Sequence, residues 1–262
     1  MNQRKSLLFF FLLLLCSTIY PVKCDSQCIL TVEGVETNHM IFTDTADDVE
    51  VTLHAEDCLL RIMLVGGGGS GSNGGAGSGY LKYVTLLISG DHPIRVRVGD
   101  PGLSSQLRIS SCFVDIDLEA APGDDYQYVL NNGNGTDGYS GGGAWCGVSR
   151  GCHGGADGGD GEDGPYGPGG EGTGEDVSSY KFDNYVLTPG AGGEWFNDAG
   201  FYVGGGGGGV MVNGQGPEAS KHQGQGYGGG GGLHTVDFGE GSEYIREGLQ
   251  GVIILELVKQ SQ

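Results

Sequence analysis

Short apolar runs that alternate with polar residues dominate the chain from Cys28 to Val65. The runs are CILTVEGV, HMIFT, VEVTLHA and CLLRIMLV. Alternation over this length is typical of half-buried β-strands. We therefore predict a series of short strands in this part of the chain.

More strands are predicted further along. The runs that indicate them are YLKYVTLLI, IRVRV, QLRISSCFVDIDLEA, YKFDNYVL and, near the end, GVIILELV. The segments SGDHP and GDPG are expected to turn the chain between them. No stretch shows a sustained period of 3.6 residues, so we predict no long helix.

Glycine-rich segments interrupt the strands. Residues 66–79 contain nine glycines in 14 positions, residues 204–209 are six glycines in a row, and residues 228–232 are five more. Ordering six glycines costs roughly 6–12 kcal/mol of backbone entropy, which only backbone contacts can offset. Polyproline-II segments leave every N–H and C=O free for neighbours, and glycine lets them approach closely. We therefore favour a polyglycine bundle over the alternative, a disordered linker.

Aromatic residues flank these glycine segments. They are Tyr80, Trp195, Phe196, Tyr202 and Tyr227. Such side chains could cover the ends and sides of a bundle. No glycine-free segment is long enough for a core of its own. We predict a single domain, residues 25–262, whose sheet takes strands from both ends and which includes an acidic, glycine-rich insertion at 131–176.

The N-terminus predicts the cellular compartment. Arg4 and Lys5 precede the apolar run Leu7–Leu15, which is the pattern of a cleaved secretory signal. Val22 and Cys24 suit the positions before a cleavage site, so we predict a signal peptide over residues 1–24. No later segment is long and apolar enough to cross a membrane, and we expect a secreted, extracellular protein.

The chain is strongly acidic. It carries 33 Asp and Glu against 13 Lys and Arg, for a net charge of −20. The predicted signal holds three of the basic residues and none of the acidic ones, so its removal leaves −23. Such a surface repels nucleic acid and attracts cations.

Five cysteines follow the predicted signal: Cys28, Cys58, Cys112, Cys146 and Cys152. An oxidising compartment favours disulfides. Cys28–Cys58 would close a long loop and Cys146–Cys152 a short one. The odd number leaves a free thiol, an intermolecular bridge or an earlier cleavage site as alternatives.

Two regions resemble a known family. Residues 61–102, RIMLVGGGGSGSNGGAGSGYLKYVTLLISGDHPIRVRVGDPG, look like the opening of glycine-rich modules in phage and bacterial adhesins. GGEWFNDAGFYVGGGGGG, then GYGGGGG and GVIILELV, resemble their other end. The glycine-rich extracellular domain of the anaplastic lymphoma kinase and leukocyte tyrosine kinase receptors is similar in composition. The resemblance spans roughly residues 58–258.

The resemblance implies an all-β fold, a jelly-roll-like sandwich with an inserted polyglycine-II helix bundle and acidic loops. This chain differs from those receptors because it has no kinase region and a far more acidic middle. Its acidity, predicted secretion and glycine content are also similar to secreted skeletal matrix proteins of corals and molluscs.

Two enzyme motifs occur by spacing alone. Residues 69–74 fit G-x-G-x-x-G with Asp91 about 20 residues on, but a dinucleotide site needs a helix next, where a strand is predicted. Residues 138–142 fit the nucleophile elbow G-x-S-x-G without the strand and helix that it needs. The six histidines are scattered. We therefore predict that the protein is not an enzyme and needs no organic cofactor.

The most acidic stretch is CHGGADGGDGEDG, residues 152–164. Asp157, Asp160, Glu162 and Asp163 bunch hard oxygen ligands on a flexible backbone, which is the chemistry that calcium prefers. The hypothesis is an ordered calcium site. The alternative, which we favour, is a solvated acidic loop with diffuse cation binding.

A second acidic pattern lies in VDIDLEA. Asp115, Asp117 and Glu119 fall on one face of a predicted strand, about 6.5–7 Å apart. This row could bind calcium ions in a mineral lattice, or it could be a solvent-facing strand edge whose charges discourage aggregation. The second interpretation is favoured.

Asn134 begins the sequon Asn-Gly-Thr, so glycosylation is expected in a secreted chain. The leading functional hypothesis is a structural matrix protein that binds calcium or calcium mineral and associates with other matrix proteins. The alternative is an extracellular recognition or adhesion module for a receptor, ligand or glycan.

Overall fold

The protein is almost entirely β-structure. The computed structural model describes residues 27–45, 48–71, 75–110, 115–125, 136–143, 152–164, 169–194, 196–198, 201–220, 222–232, 236–237, 242–243 and 247–260. The strands of this part are β1 Cys28–Val32, β2 Val35–Thr37, β3 His39–Phe42, β4 Val49–Val65, β5 Leu81–Arg97, β6 Ser105–Ser110, β7 Asp115–Ala120, β8 Leu187–Pro189, β9 Phe196–Asp198, β10 Phe201–Val203, β11 Val210–Val212, β12 Val236–Asp237, β13 Ser242–Glu243 and β14 Val252–Lys259. The predicted all-β class is confirmed.

Helical structure is confined to a single 3₁₀ turn, Val177–Ser179, within the described residues. In that same part of the chain, no helix has the length and apolar character needed to cross a membrane.

An antiparallel eight-stranded sheet organises the fold. Its order is β2-β1-β4-β5-β6-β7, and β14 pairs with both β4 and β3. Along one edge of β4, β1 pairs with the first half and β14 with the second half. The sheet thus combines strands from the two ends of the chain. Smaller two-stranded sheets are β9–β10, β8–β11 and β12–β13.

β4 and β5 are longer than the sequence pattern predicts. The predicted turn at SGDHP, residues 89–93, is wrong, because β5 continues through it. The irregularity there is a β-bulge. The register of β4 with β5 shifts between Ala55 and Cys58 of β4. Asp57 and Gly90 take positive φ values of 55° and 103° at this point. A bulge adds a residue and bends the strand without ending the ladder, so two predicted runs form one strand.

The main core lies on one face of this bent sheet. Alternate residues of β4 and β14, including Leu60, Ile62 and Leu255, are fully buried there. The opposite face of the same strands carries Met63 and Ile254, which pack in a second cluster with β8 and β11. Burial on both faces explains why GVIILELV reads as a continuous apolar run rather than an alternating one.

The segment YKFDNYVL does not form the predicted strand. A 3₁₀ turn precedes it, and β8 begins only at Leu187. The aromatic residues of the segment instead pack on the sheet: Tyr180 stacks on Tyr83 with centroids 4.7 Å apart, and Phe182 meets Tyr83 edge-on at 5.6 Å. Contacts with the sheet therefore override the β-propensity of this run.

The disulfide Cys28–Cys58 joins β1 to the middle of β4 and confirms one of the two predicted bridges. Cys152 is also disulfide-bonded. Its predicted partner Cys146 lies outside the described residues, as does Cys112.

Removing the Cys28–Cys58 bridge should destabilise the protein substantially. The cysteines are 30 residues apart, and closing a loop of this size stabilises by about 3.5 kcal/mol. We expect the Cys28→Ala/Cys58→Ala variant to lose about that free energy of unfolding in a urea titration. An unchanged unfolding midpoint would show that the bridge does not restrict the unfolded chain.

Candidate functional site

The glycine segments assemble into one hydrogen-bonded body, here called the glycine bundle. The described segments that form it are residues 66–71, 75–79, 136–143, 152–161, 169–174, 190–193, 204–209 and 222–232. Their backbone groups bond mainly to other segments rather than within a segment, as polyproline-II geometry requires.

The hexaglycine at 204–209 is the centre of the bundle. The N–H groups of Gly205 and Gly208 donate to the carbonyls of Cys152 and Gly155. Both bonds therefore go to one neighbouring segment, and the two donors, like the two acceptors, are three residues apart. The N–H groups of Gly206 and Gly209 likewise donate to residues 222 and 225. A step of three residues on both sides is the repeat of a three-residue-per-turn helix.

Five segments of the bundle surround this central run. Its N–H groups donate to residues 152–155, 222–225 and Ala76, and its carbonyls accept from Gly143, residues 190–193 and Gly230. The same step of three residues recurs in the first glycine run, residues 66–79. There the N–H groups of Gly66 and Gly69 donate to the carbonyls of Tyr80 and Gly77. The prediction that the glycine runs bundle through their backbones is confirmed.

Close packing explains why these positions are glycine. A Cβ atom added at Gly205, Gly206 or Gly207 would collide with a backbone carbonyl, of Gly193, Gly230 and Ser140 respectively. Backbone cannot move aside as a flexible side chain can. Residues 204–209 are buried throughout, so the side-chain-free backbone itself is the packing material.

Acidic side chains accept hydrogen bonds from backbone N–H groups at the surface of the bundle. The N–H of Gly172 donates to Asp160 Oδ1 at 2.8 Å, that of His153 to Glu162 Oε2 at 3.0 Å, and that of Glu171 to Asp137 Oδ1 at 2.8 Å. Gly169 donates to Asp163 Oδ1 at 2.9 Å. These acidic side chains are exposed, and each satisfies a backbone donor at the edge of the bundle.

Asp157 has a different environment. Its Oδ1 accepts from the Tyr139 hydroxyl at 3.2 Å and from the Val177 N–H at 3.4 Å. Tyr139 is fully buried in the second core cluster. Burial raises the pKa of Tyr139 strongly, and the nearby charge of Asp157 raises it further. This pair therefore holds a neutral phenol against the bundle.

The four residues of the calcium hypothesis, Asp157, Asp160, Glu162 and Asp163, therefore bond to separate parts of the backbone. Across the described ranges, no group of three or more His, Cys, Asp or Glu side chains is arranged to hold a metal ion. What the structure does provide is a set of individually fixed carboxylates.

Another carboxylate group lies where residues 124–125 meet the bundle. The N–H of Ser70 donates to Asp125 Oδ1 at 2.7 Å. Burial raises the pKa of Asp124, and the negative charges of Asp137 and Asp125 raise it further. Burial also raises the pKa of Tyr80, and the negative charges of Asp124 and Asp137 raise it further.

The acidic row of β7 adopts the alternation predicted from the sequence. Asp115, Asp117 and Glu119 are exposed, whereas Leu118 and Ala120 are buried. β7 pairs only with β6 among the described strands. The Asp115 carboxylate accepts from Arg108 Nη2 at 3.3 Å, so part of this charge is already compensated by the sheet.

Several predicted features lie wholly or partly outside the described residues. The signal peptide, residues 1–24, and the sequon residue Asn134 fall there. Thr136, the last sequon residue, is buried. Its hydroxyl donates to the Asp124 carbonyl at 2.6 Å and accepts from the Gly77 N–H at 3.0 Å.

The described residues of the two enzyme-like motifs, 69–71 and 138–142, lie within the bundle. The glycines after Val65 lead into the strand β5, not into a helix. Ser140 of the G-x-S-x-G match is fully buried, and its Oγ accepts from the Gly158 N–H at 3.1 Å. Glycine density therefore explains both matches.

Sequence reasoning missed a buried charged cluster on β14. Glu256 is completely buried and accepts from Arg61 Nη1 at 2.9 Å. It also accepts from the N–H groups of Asp183 and Asn184 at 2.9 and 2.8 Å. Burial lowers the pKa of Arg61, but its hydrogen bonds to Asp183 and Glu256 outweigh this and raise it.

The sequence contains one indication of this cluster, because each of two apolar runs includes a single charged residue. Glu256 interrupts GVIILELV and Arg61 interrupts CLLRIMLV, and the two residues are direct partners in the register of β14 and β4. The cluster pins the segment around Asn184 to the sheet. Burial raises the pKa of the nearby Tyr185 to about 12, and the negative charge of Glu256 contributes to this rise.

These observations define an all-β protein in which hydrogen-bonded glycine segments are built onto a sheet. The family model for a glycine-rich domain matches residues 44–257, and the chain belongs to this glycine-rich domain family. No curated protein and no solved structure matches the chain significantly.

Proposed function

We propose that this is a secreted, non-enzymatic structural protein of an extracellular or skeletal matrix that interacts with calcium or calcium mineral. The observation that carries the proposal is the set of exposed carboxylates held by backbone N–H groups at the surface of the glycine bundle. A carboxylate that is already oriented loses less freedom when it binds a cation.

The hydrogen bonding leaves these carboxylates able to bind cations. Among the described residues, the hydrogen bonds of Asp137, Asp160 and Glu162 engage one oxygen of each group. The other oxygen is available to a hard cation, which binds carboxylates in mono- or bidentate fashion. Single fixed carboxylates without a closed cage suit weak, multiple binding at a mineral surface better than one tight site.

Calcium titration tests this proposal. We expect several weak sites with dissociation constants of about 10⁻⁴–10⁻³ M, the range of extracellular calcium modules. The Asp137→Asn/Asp160→Asn/Glu162→Gln variant should lose most of the calorimetric heat and most of its adsorption to calcium carbonate crystals.

A matched control removes the same number of charges elsewhere. The Asp115→Asn/Asp117→Asn/Glu119→Gln variant changes the β7 row, where Arg108 competes for a carboxylate, and should retain most of the binding. Equal losses in both variants would indicate binding by net charge alone. The absence of any calcium uptake at about 10 mM, well above that affinity range, would refute the proposed mechanism.

The second candidate function is an extracellular recognition or adhesion module. It is favoured by an apolar row on the sheet face opposite the main core, where Val258, Leu59 and Leu87 are direct cross-strand neighbours. Leu87 is 64% exposed, and exposed apolar rows are typical of protein contacts. The resemblance to receptor and adhesin modules agrees with this candidate. Saturable, calcium-independent binding to a cell surface would support it over the matrix function.

A further inference from the structure

Two arginines face each other on the outer surface of the sheet. Arg95 on β5 and Arg108 on β6 are direct partners in the register of these strands, and their side chains are 61% and 59% exposed. Like charges directly opposite each other destabilise a sheet. Only 13 basic residues occur in the chain beside 33 acidic ones, so composition does not account for this pairing.

A shallow cavity lies beside the pair. It has a volume of about 190 Å³ and is lined by Glu50, Pro93, Ile94, Arg95, Arg108 and Ser110. The arginines supply the positive charge of this cavity, and the Ser110 hydroxyl donates to Asp115 Oδ1 at 3.3 Å. The cavity is large enough for one small polar group but not for a drug-sized ligand.

The two guanidinium groups keep most of their donors for a ligand. Arg95 Nη2 donates to Glu50 at 3.2 Å. Arg108 donates through Nη2 to Asp115 at 3.3 Å and through Nε to Ser110 at 3.1 Å. A guanidinium has five N–H donors, so among the described residues these bonds engage one donor of Arg95 and two of Arg108. Asp117 is opposite Arg108 in register, and Glu119 lies further along the same exposed face of β7.

We propose that the cavity binds one small oxyanion, a sulfate ester or a carboxylate, between Arg95 and Arg108. The planar guanidinium matches the oxygens of such groups in pairs. The net charge of −20 repels long polyanions, which favours short, singly charged groups.

The test uses the intact mature protein and follows the arginine Nε–H signals by NMR during titration. The probes are glucose 6-sulfate and acetate, with unsulfated glucose as the blank. We expect saturable shifts of the Arg95 and Arg108 signals. The Arg95→Gln and Arg108→Gln variants should each weaken binding at least about tenfold, which corresponds to about 1.4 kcal/mol.

Arg97→Gln is the matched control because Arg97 is exposed on the same strand but does not line the cavity. It should change binding less than about twofold, or about 0.4 kcal/mol. Tighter binding of the sulfate ester identifies sulfated sugar as the ligand class, and tighter binding of acetate identifies a carboxylate. Equal weakening by Arg97→Gln, or no saturable shift with either probe, would overturn the proposal. Unchanged backbone amide spectra of the variants verify that the fold is intact.

Discussion

A single methyl group in the central glycine run should unfold the bundle. We expect Gly207→Ala to lower the free energy of unfolding by about 4–6 kcal/mol. The added Cβ would collide with the Ser140 carbonyl, and overpacking of this kind costs about 1–3 kcal/mol. Relief by backbone movement would break the bonds from Gly207 to Ala76 and from Gly230 to Gly207. Each buried group left unpaired costs about 1–3 kcal/mol more.

Urea unfolding measures this effect, and hydrogen exchange over residues 204–209 locates it. Gly34→Ala is the control because a Cβ there meets no atom within 4 Å, although its φ of +81° is strained for alanine. We expect the control to cost about 1 kcal/mol, the usual cost of a positive φ. Equal losses in the two variants would contradict the role assigned to the hexaglycine. Exchange of amides 204–209 at free-peptide rates in the unmodified protein would do the same.

The buried carboxylate of Glu256 should be nearly as sensitive. We expect Glu256→Ala to cost about 3–5 kcal/mol, the usual effect of breaking a buried ion pair by removing one partner. The substitution leaves the N–H groups of Asp183 and Asn184 unpaired and leaves Arg61 with only its partly exposed partner. Thermal or urea unfolding measures the loss.

Asp183→Asn is the matched control, because it removes the other carboxylate that binds the same guanidinium. The Asp183 side chain is 61% exposed and pairs with Arg61 at 2.9 Å, and exposed pairs contribute at most about 1 kcal/mol. A loss of less than about 1 kcal/mol for Glu256→Ala, similar to that control, would mean that the cluster is not a structural anchor.

The all-β class followed from the sequence because alternation over five to eight residues is a local property. The bundling of the glycine runs followed from an energetic argument: six ordered glycines need backbone partners, and other glycines in the chain can supply them. The partners themselves could not be assigned. Ala76 bonds to both Gly207 and Gly231, and such pairings depend on the whole arrangement of segments.

Two errors have physical causes. A single Gly-Asp pair, residues 90–91, suggested a turn, but the same glycine serves in a bulge that continues β5. The run YKFDNYVL has the aromatic content of a strand, yet its N–H groups at residues 183 and 184 bond to a carboxylate. Local propensity cannot predict hydrogen bonds to the buried Glu256, which lies about 70 residues away in the sequence.

The site was predictable in part. The acidic residues of 157–163 were identified from composition, but their role in accepting backbone N–H groups depends on which glycines approach them. The pairing of Arg95 with Arg108 required the register of β5 and β6. Glu256 and Arg61 were visible as isolated charges in apolar runs, and only the strand pairing shows that they meet.

The placement of β14 has a consequence for biosynthesis. This strand lies between β3 and β4, and it follows every other described strand of the sheet in the sequence. Until it arrives, residues 58–65 present an apolar strand with an open edge, a form that invites association between nascent chains. The main sheet is therefore complete only once residues 252–259 have been synthesised and have paired with both β3 and β4.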